Sequence, residues 1–121
     1  SQLIEYDAQG KEIWKKQTPP QPWGCQGLEN GHRLVCSYTE RVVVEYDENG
    51  NETWRAGGLL GGPTSVQRLD NGNTLLACTE SSEVIEVDRA HHAQNASNAA
   101  GSLGSATTSL TSPPSIRNSS T

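Results

Sequence analysis

Short apolar runs alternate with polar turn residues over the first 88 positions. Arg33–Tyr38 (RLVCSY), Val42–Tyr46 (VVVEY), Glu52–Arg55 (ETWR), Ser65–Leu69 (SVQRL) and Thr74–Thr79 (TLLACT) are the clearest, with Gly24–Leu28 (GCQGL) the least apolar. Each run has the length of a strand and is too short for a helix. Asn30-Gly31 and Asn71-Gly72 each lie between two of them. Asn-Gly in that place predicts a two-residue type I′ hairpin, because both residues accept a positive φ. Asp47–Asn51 separates two further runs and carries Gly50 where a left-handed residue is needed.

These runs repeat. A shift of 40 residues brings Glu5, Tyr6, Asp7, Gly10, Glu12 and Trp14 onto Glu45, Tyr46, Asp47, Gly50, Glu52 and Trp54. A shift of 41 brings Pro22, Gln26, Leu28, Asn30, Gly31, Leu34, Val43, Glu45 and Asp47 onto Pro63, Gln67, Leu69, Asn71, Gly72, Leu75, Val84, Glu86 and Asp88. The one-residue slip falls in a loop, where insertions are tolerated. Four short strands joined by tight turns at this period describe a β-propeller blade. The expected fold is therefore all-β, a partial propeller of four-stranded antiparallel blades over residues 1–88. Residues 22–56 form one complete blade, and partial blades flank it. Residues 1–16 supply a third and a fourth strand. Residues 64–88 supply three strands, and the G-x-x-x-W expected after Asp88 is replaced by RAHHAQNASN. Fewer than about four blades cannot close a ring, so further blades or self-association are expected to complete it.

Composition divides the chain at the same point. Every acidic residue precedes residue 89, and Arg89 and Arg117 are the only charges after it. Ser, Thr, Ala and Asn dominate residues 89–121, which cannot bury enough surface to offset their ordering entropy. That segment is expected to be a disordered C-terminal tail. A net charge of −5 argues against a nucleic-acid partner, which needs clustered Lys and Arg. No apolar run is long enough to span a membrane, and no signal peptide is visible. The partner is otherwise unknown.

At the tryptophans the chain resembles a known family. Y-D-x-x-G-x-x-x-W, ending at Trp14 and Trp54, is similar to the tryptophan-docking motif of quinoprotein-like propellers. Gln67–Leu76 (QRLDNGNTLL) resembles the repeats of bacterial arylsulfotransferase-type propellers. The motif's usual Thr is missing, and the Asp-to-Gly spacing is one residue shorter than in the quinoproteins. The resemblance implies that Trp14 and Trp54 wedge between neighbouring blades, with Gly10 and Gly50 shaping the turns before them. It also implies an exported location. It brings no cofactor: no motif for a pyrroloquinoline quinone or its calcium is present. The catalytic His of the arylsulfotransferases has no counterpart either.

Candidate chemistry is sparse, and no catalytic, cofactor or metal site is assigned. His32 sits in a hairpin turn and reads as a surface residue; His91-His92 lie in the tail. Asp7, Asp47 and Asp88 recur, as do Glu5, Glu45 and Glu86. Recurrence points to service within each blade, because an active site draws different residues from different blades. With a two-residue turn at Asn30-Gly31, Cys25 would face Cys36. The pair then makes either a strained cross-strand disulfide or, as preferred here, two small buried thiols. Cys78 has no evident partner. The leading function is a non-catalytic propeller repeat module acting as scaffold or binding surface. The alternative is a truncated piece of a quinoprotein-like dehydrogenase or arylsulfotransferase-like enzyme whose active site lies outside this chain.

Overall fold

The computed structural model describes residues 1–58, 61–90 and 93–95, the last three as backbone. It is all-β, with ten strands in three antiparallel sheets and no helix among the described residues. Sheet 1 pairs β1 (Gln2–Tyr6) with β2 (Glu12–Gln17). Sheet 2 runs in chain order through β3 (Gly24–Gly27), β4 (Arg33–Ser37), β5 (Val42–Tyr46) and β6 (Glu52–Ala56). Sheet 3 repeats that order with β7 (Pro63–Arg68), β8 (Thr74–Cys78), β9 (Glu83–Val87) and β10 (Ala93–Asn95).

Strand alternation sends successive side chains to opposite faces, and each face of sheet 2 has its own core. Leu34, Cys36, Val43, Trp54 and Ala56 pack against Val66, Leu76, Cys78, Ile85 and Val87 of sheet 3. Val35, Val42, Val44 and Tyr46 point the other way and pack with Trp14 of sheet 1, joined by Leu3. Sheet 2 is thus covered on both sides, which is why all five residues of β5 are buried. Where β3 meets β7 the backbones nearly touch. A Cβ at Gly24 would lie 2.9 Å from both the Thr64 carbonyl oxygen and the Ser65 Cα, so only glycine fits.

Three expectations are corrected. The third sheet has a fourth strand: β10 pairs with β9, setting Gln94 opposite Glu86 as Trp54 stands opposite Glu45. Backbone pairing needs no tryptophan, so losing the motif did not abolish the strand. Residues 93–95, expected to be disordered, are therefore ordered; residues 96–121, with His91 and His92, lie outside the described residues.

The Asn-Gly turns are also longer than expected. Leu28 N–H donates to the His32 carbonyl and Gly31 N–H to the Leu28 carbonyl, leaving three loop residues; Leu69, Asn73 and Gly72 repeat this. Gly31 and Gly72 have φ of 87° and 90°, whereas neither Asn30 nor Asn71 has a positive φ. This is a type I turn closed by a left-handed glycine. The asparagines act through their side chains instead. Asn30 Oδ1 accepts from His32 N–H and Asn71 Oδ1 from Asn73 N–H, each at 2.9 Å.

The extra loop residue slips the register by one, and a one-residue slip moves a side chain to the other face. Cys25 stands opposite Val35, and Cys36 opposite Gly24. The Cys25–Cys36 pair does not form, and all three cysteines are free. Cys36 is buried against sheet 3. Cys25, opposite Val35, lies on the other face and is exposed.

Candidate functional site

The junctions between sheets carry most of the polar chemistry, and they are built alike. Trp14 Nε1–H donates across to the carbonyl of Glu48 at 3.1 Å. Trp54 Nε1–H donates to the carbonyl of Arg89, also at 3.1 Å. Each indole is buried in apolar side chains, and its one polar atom is satisfied by the loop of the following sheet. Gly10 and Gly50, with φ of 84° and 82°, shape the turns that lead into these tryptophans. Asp7 and Asp47 hold the same turns, each Oδ1 accepting two backbone N–H groups. Those bonds hold the Asp47 carboxyl below its ordinary range.

A guanidinium covers each indole. Arg33 lies 4.6 Å from the Trp14 ring and Arg68 5.3 Å from the Trp54 ring, with Arg89 at 5.1 Å from the latter. Arg33 and Arg68 are not equivalent in the repeat. Arg33 is on β4 opposite Gly27, whereas Arg68 is on β7 opposite Thr74. The two cross-strand partners exchange the arginine, yet its charged end reaches the same place. Arg33 pairs with Glu5 at 2.8 Å, and Arg68 pairs with Glu45, the equivalent carboxylate, at 2.9 Å.

Glu45 is the most elaborate polar group among the described residues. Its side chain is 4% exposed, and Arg68 and Arg89 both reach Oε1 at 2.9 Å. His32 Nδ1 lies 2.6 Å from Oε2. Burial pushes its carboxyl upward, but the bonds from His32, Arg89 and Arg68 overcome that and bring it to about 2. His32, expected on the surface, is therefore half-buried against a carboxylate. In sheet 3 Asn73 takes its place and donates to Glu86 at 2.7 Å. The recurrence of Glu5, Glu45 and Glu86 was the available sequence signal for this cluster; its arginines gave none, because they change strand.

An aromatic pair that the next repeat lacks lies at the opposite end from the Asn-Gly turns. There Trp23 stacks on Tyr38, with centroids 4.6 Å apart and planes at 28°. Their equivalents are Thr64 and Thr79, whose hydroxyls hydrogen-bond to each other. Arg41 and Glu80 form an exposed ion pair at the same end. Among the described residues, no group of three or more His, Cys, Asp or Glu could hold a metal.

No family model and no curated protein matches the chain. Its fold has a solved counterpart. The chain is similar to a protein of unknown function from Bacteroides caccae, with a TM-score of 0.64 at 23% identity. The match covers 78% of this chain and 38% of that one. This chain thus spans well under half of that protein's length, and likeness at this identity extends to the fold alone.

Proposed function

We propose that the chain is a non-catalytic β-propeller repeat module, a scaffold or binding surface that belongs to a larger propeller. Each sheet is one blade, and the blades dock through Trp14 and Trp54. The repeated indole-to-carbonyl bond across successive sheets carries this reading. Meander sheets stacked in chain order are the arrangement of neighbouring blades, and the Y-D-x-x-G-x-x-x-W resemblance agrees with a wedge at those tryptophans.

The end faces support it as well. Tyr46 and Val43 are 4% and 0% exposed between sheets, whereas their equivalents on the outer faces, Tyr6 and Val84, are 57% and 39% exposed. The same residue types that pack inside are open at the two ends. A further blade covers each face, and for the isolated chain that blade comes from a second copy. Sedimentation velocity over a concentration series tests this. Reversible association, weakened by Val84→Asp, is expected; a folded species that stays monomeric throughout overturns it. Turnover of an aryl sulfate ester, or of an alcohol with added quinone cofactor and calcium, would overturn the non-catalytic assignment.

A further inference from the structure

The Trp23–Tyr38 stack takes no part in the indole-to-carbonyl docking of the sheets. We infer that the exposed face of Trp23, backed by Tyr38, is a stacking platform for a neutral saccharide ring. The inference deepens the binding-surface reading but does not require further blades, since Trp23 lies in the loop that enters sheet 2 and Tyr38 in the turn between β4 and β5.

Packing does not require the pair. The next repeat closes the same position with Thr64 and Thr79, so the sheet forms equally with two small polar residues. Trp23 nevertheless keeps more than half of its surface in water. Its support is rigid. Tyr38 rests directly on the backbone of Gly62, where any Cβ would collide with the ring. The loop before Trp23 reads Pro19-Pro20-Gln21-Pro22, and three prolines fix most of its φ angles. Between them Gln21 takes a left-handed φ of 51°, as Arg41 and Ser82 do in the turns after β4 and β8. The Gln21 carbonyl accepts from both Trp23 N–H and Tyr38 N–H at 3.0 Å. The Thr39 hydroxyl donates to its side-chain oxygen. The chain thus holds a braced loop that presents an indole to solvent where the next repeat has a threonine.

The surroundings select the class of ligand. The two rings lie against each other, so they offer one open face rather than a cage. A quaternary ammonium is bound best by several rings at once. An indole face is electron-rich, and the C–H groups on one side of a pyranose present weakly positive hydrogens to it. Gln21 and Thr39, which brace the loop, are neutral, and the bond between the Thr39 hydroxyl and the Gln21 side-chain oxygen leaves the Gln21 amide N–H groups to donate to sugar hydroxyls. Arg41, the cation of the adjoining turn, is held by Glu80 at 2.8 Å, and Glu40 beside it is an anion. With a net charge of −5, the surface disfavours nucleotides and acidic glycans.

Affinity electrophoresis of the full chain through gels containing neutral polysaccharides tests the inference. The probes are β-1,4-glucan, β-1,3-glucan, α-1,4-glucan, xylan and mannan. Retardation by at least one is expected, with at least a tenfold loss of affinity in Trp23→Ala. The double variant Trp23→Thr/Tyr38→Thr installs the pair that the next repeat already uses, so it should fold and lose retardation equally. Circular dichroism melting checks folding. No retardation by any of the five gels overturns the inference, as does equal retardation of the folded double variant. Quenching of wild-type tryptophan fluorescence by tetramethylammonium or adenosine, but by no soluble oligomer of these sugars, also overturns it. Blade association, read by sedimentation, does not involve Trp23, so failure of either reading is seen separately.

Discussion

Glu45 shows how one buried charge can be held between sheets. Its carboxylate faces two guanidiniums and an imidazole, and these lower its pKa from 4.5 to about 2 despite burial. A carboxyl lowered on folding stabilises the protein fully above its unfolded value. That contribution fades as pH falls from about 4.5 toward 2, and its size is about 3 kcal/mol. Glu45→Gln is therefore expected to cost about 3 kcal/mol at pH 7, with Arg68 and Arg89 left uncompensated. Urea unfolding at several pH values should show the gap to wild type narrowing below pH 4.5 and closing near pH 2. A gap that stays constant down to pH 2 would mean that the carboxylate is not held by these partners. The glutamates were legible as a repeat, but the cluster was not. Arg68 occupies the position of Gly27, and Arg33 that of Thr74; matching by position hides a charge that is matched in space.

Strands were the most legible elements, because period and turn residues mark them directly. Val42–Tyr46 agrees at both ends, and the other predicted strands agree to within a residue or two. Register was less legible. Asn-Gly between apolar runs fits a two-residue turn and a three-residue turn, and only the backbone of Asn30 distinguishes them. That single residue decides the state of the cysteines. With Cys25 exposed and Cys36 and Cys78 buried, iodoacetamide should label one thiol per folded chain and all three in denaturant. Burial raises all three thiols, Cys36 to about 11, so labelling even of Cys25 should be slow at neutral pH. Reductant should leave the melting temperature unchanged; a drop would restore the rejected pairing. Gly72 separates turn strain from packing. A Cβ there meets nothing within 4 Å, yet φ is +90°. Gly72→Ala should therefore cost about 1–2 kcal/mol, measured by urea unfolding, while the sheet keeps its register.

Across the whole molecule, stability is expected to pass from sheet to sheet, as in other repeat architectures where each unit contacts only its neighbours. The two junctions share their chemistry but not their extent. Sheet 1 contributes Trp14 and Leu3 to its core, whereas sheets 2 and 3 share a core of ten buried residues. Removing each tryptophan should therefore have a different reach. Trp14→Ala takes the central apolar anchor from a two-stranded hairpin, which is marginal by itself. Amides of β1 and β2 should then exchange rapidly, while β4, β5 and β8 keep their protection. Trp54→Ala opens a cavity in the shared core and strips Arg68 and Arg89 of the ring they cover; it should cost about 3–5 kcal/mol. Its effect should spread to both four-stranded sheets, because both contribute side chains to the core that Trp54 fills. Hydrogen exchange followed strand by strand distinguishes the two patterns. If Trp14→Ala lowered protection in β8 and β9 as much as in β1, the sheets would be unfolding as one unit, and nearest-neighbour docking through the tryptophans would not describe this molecule.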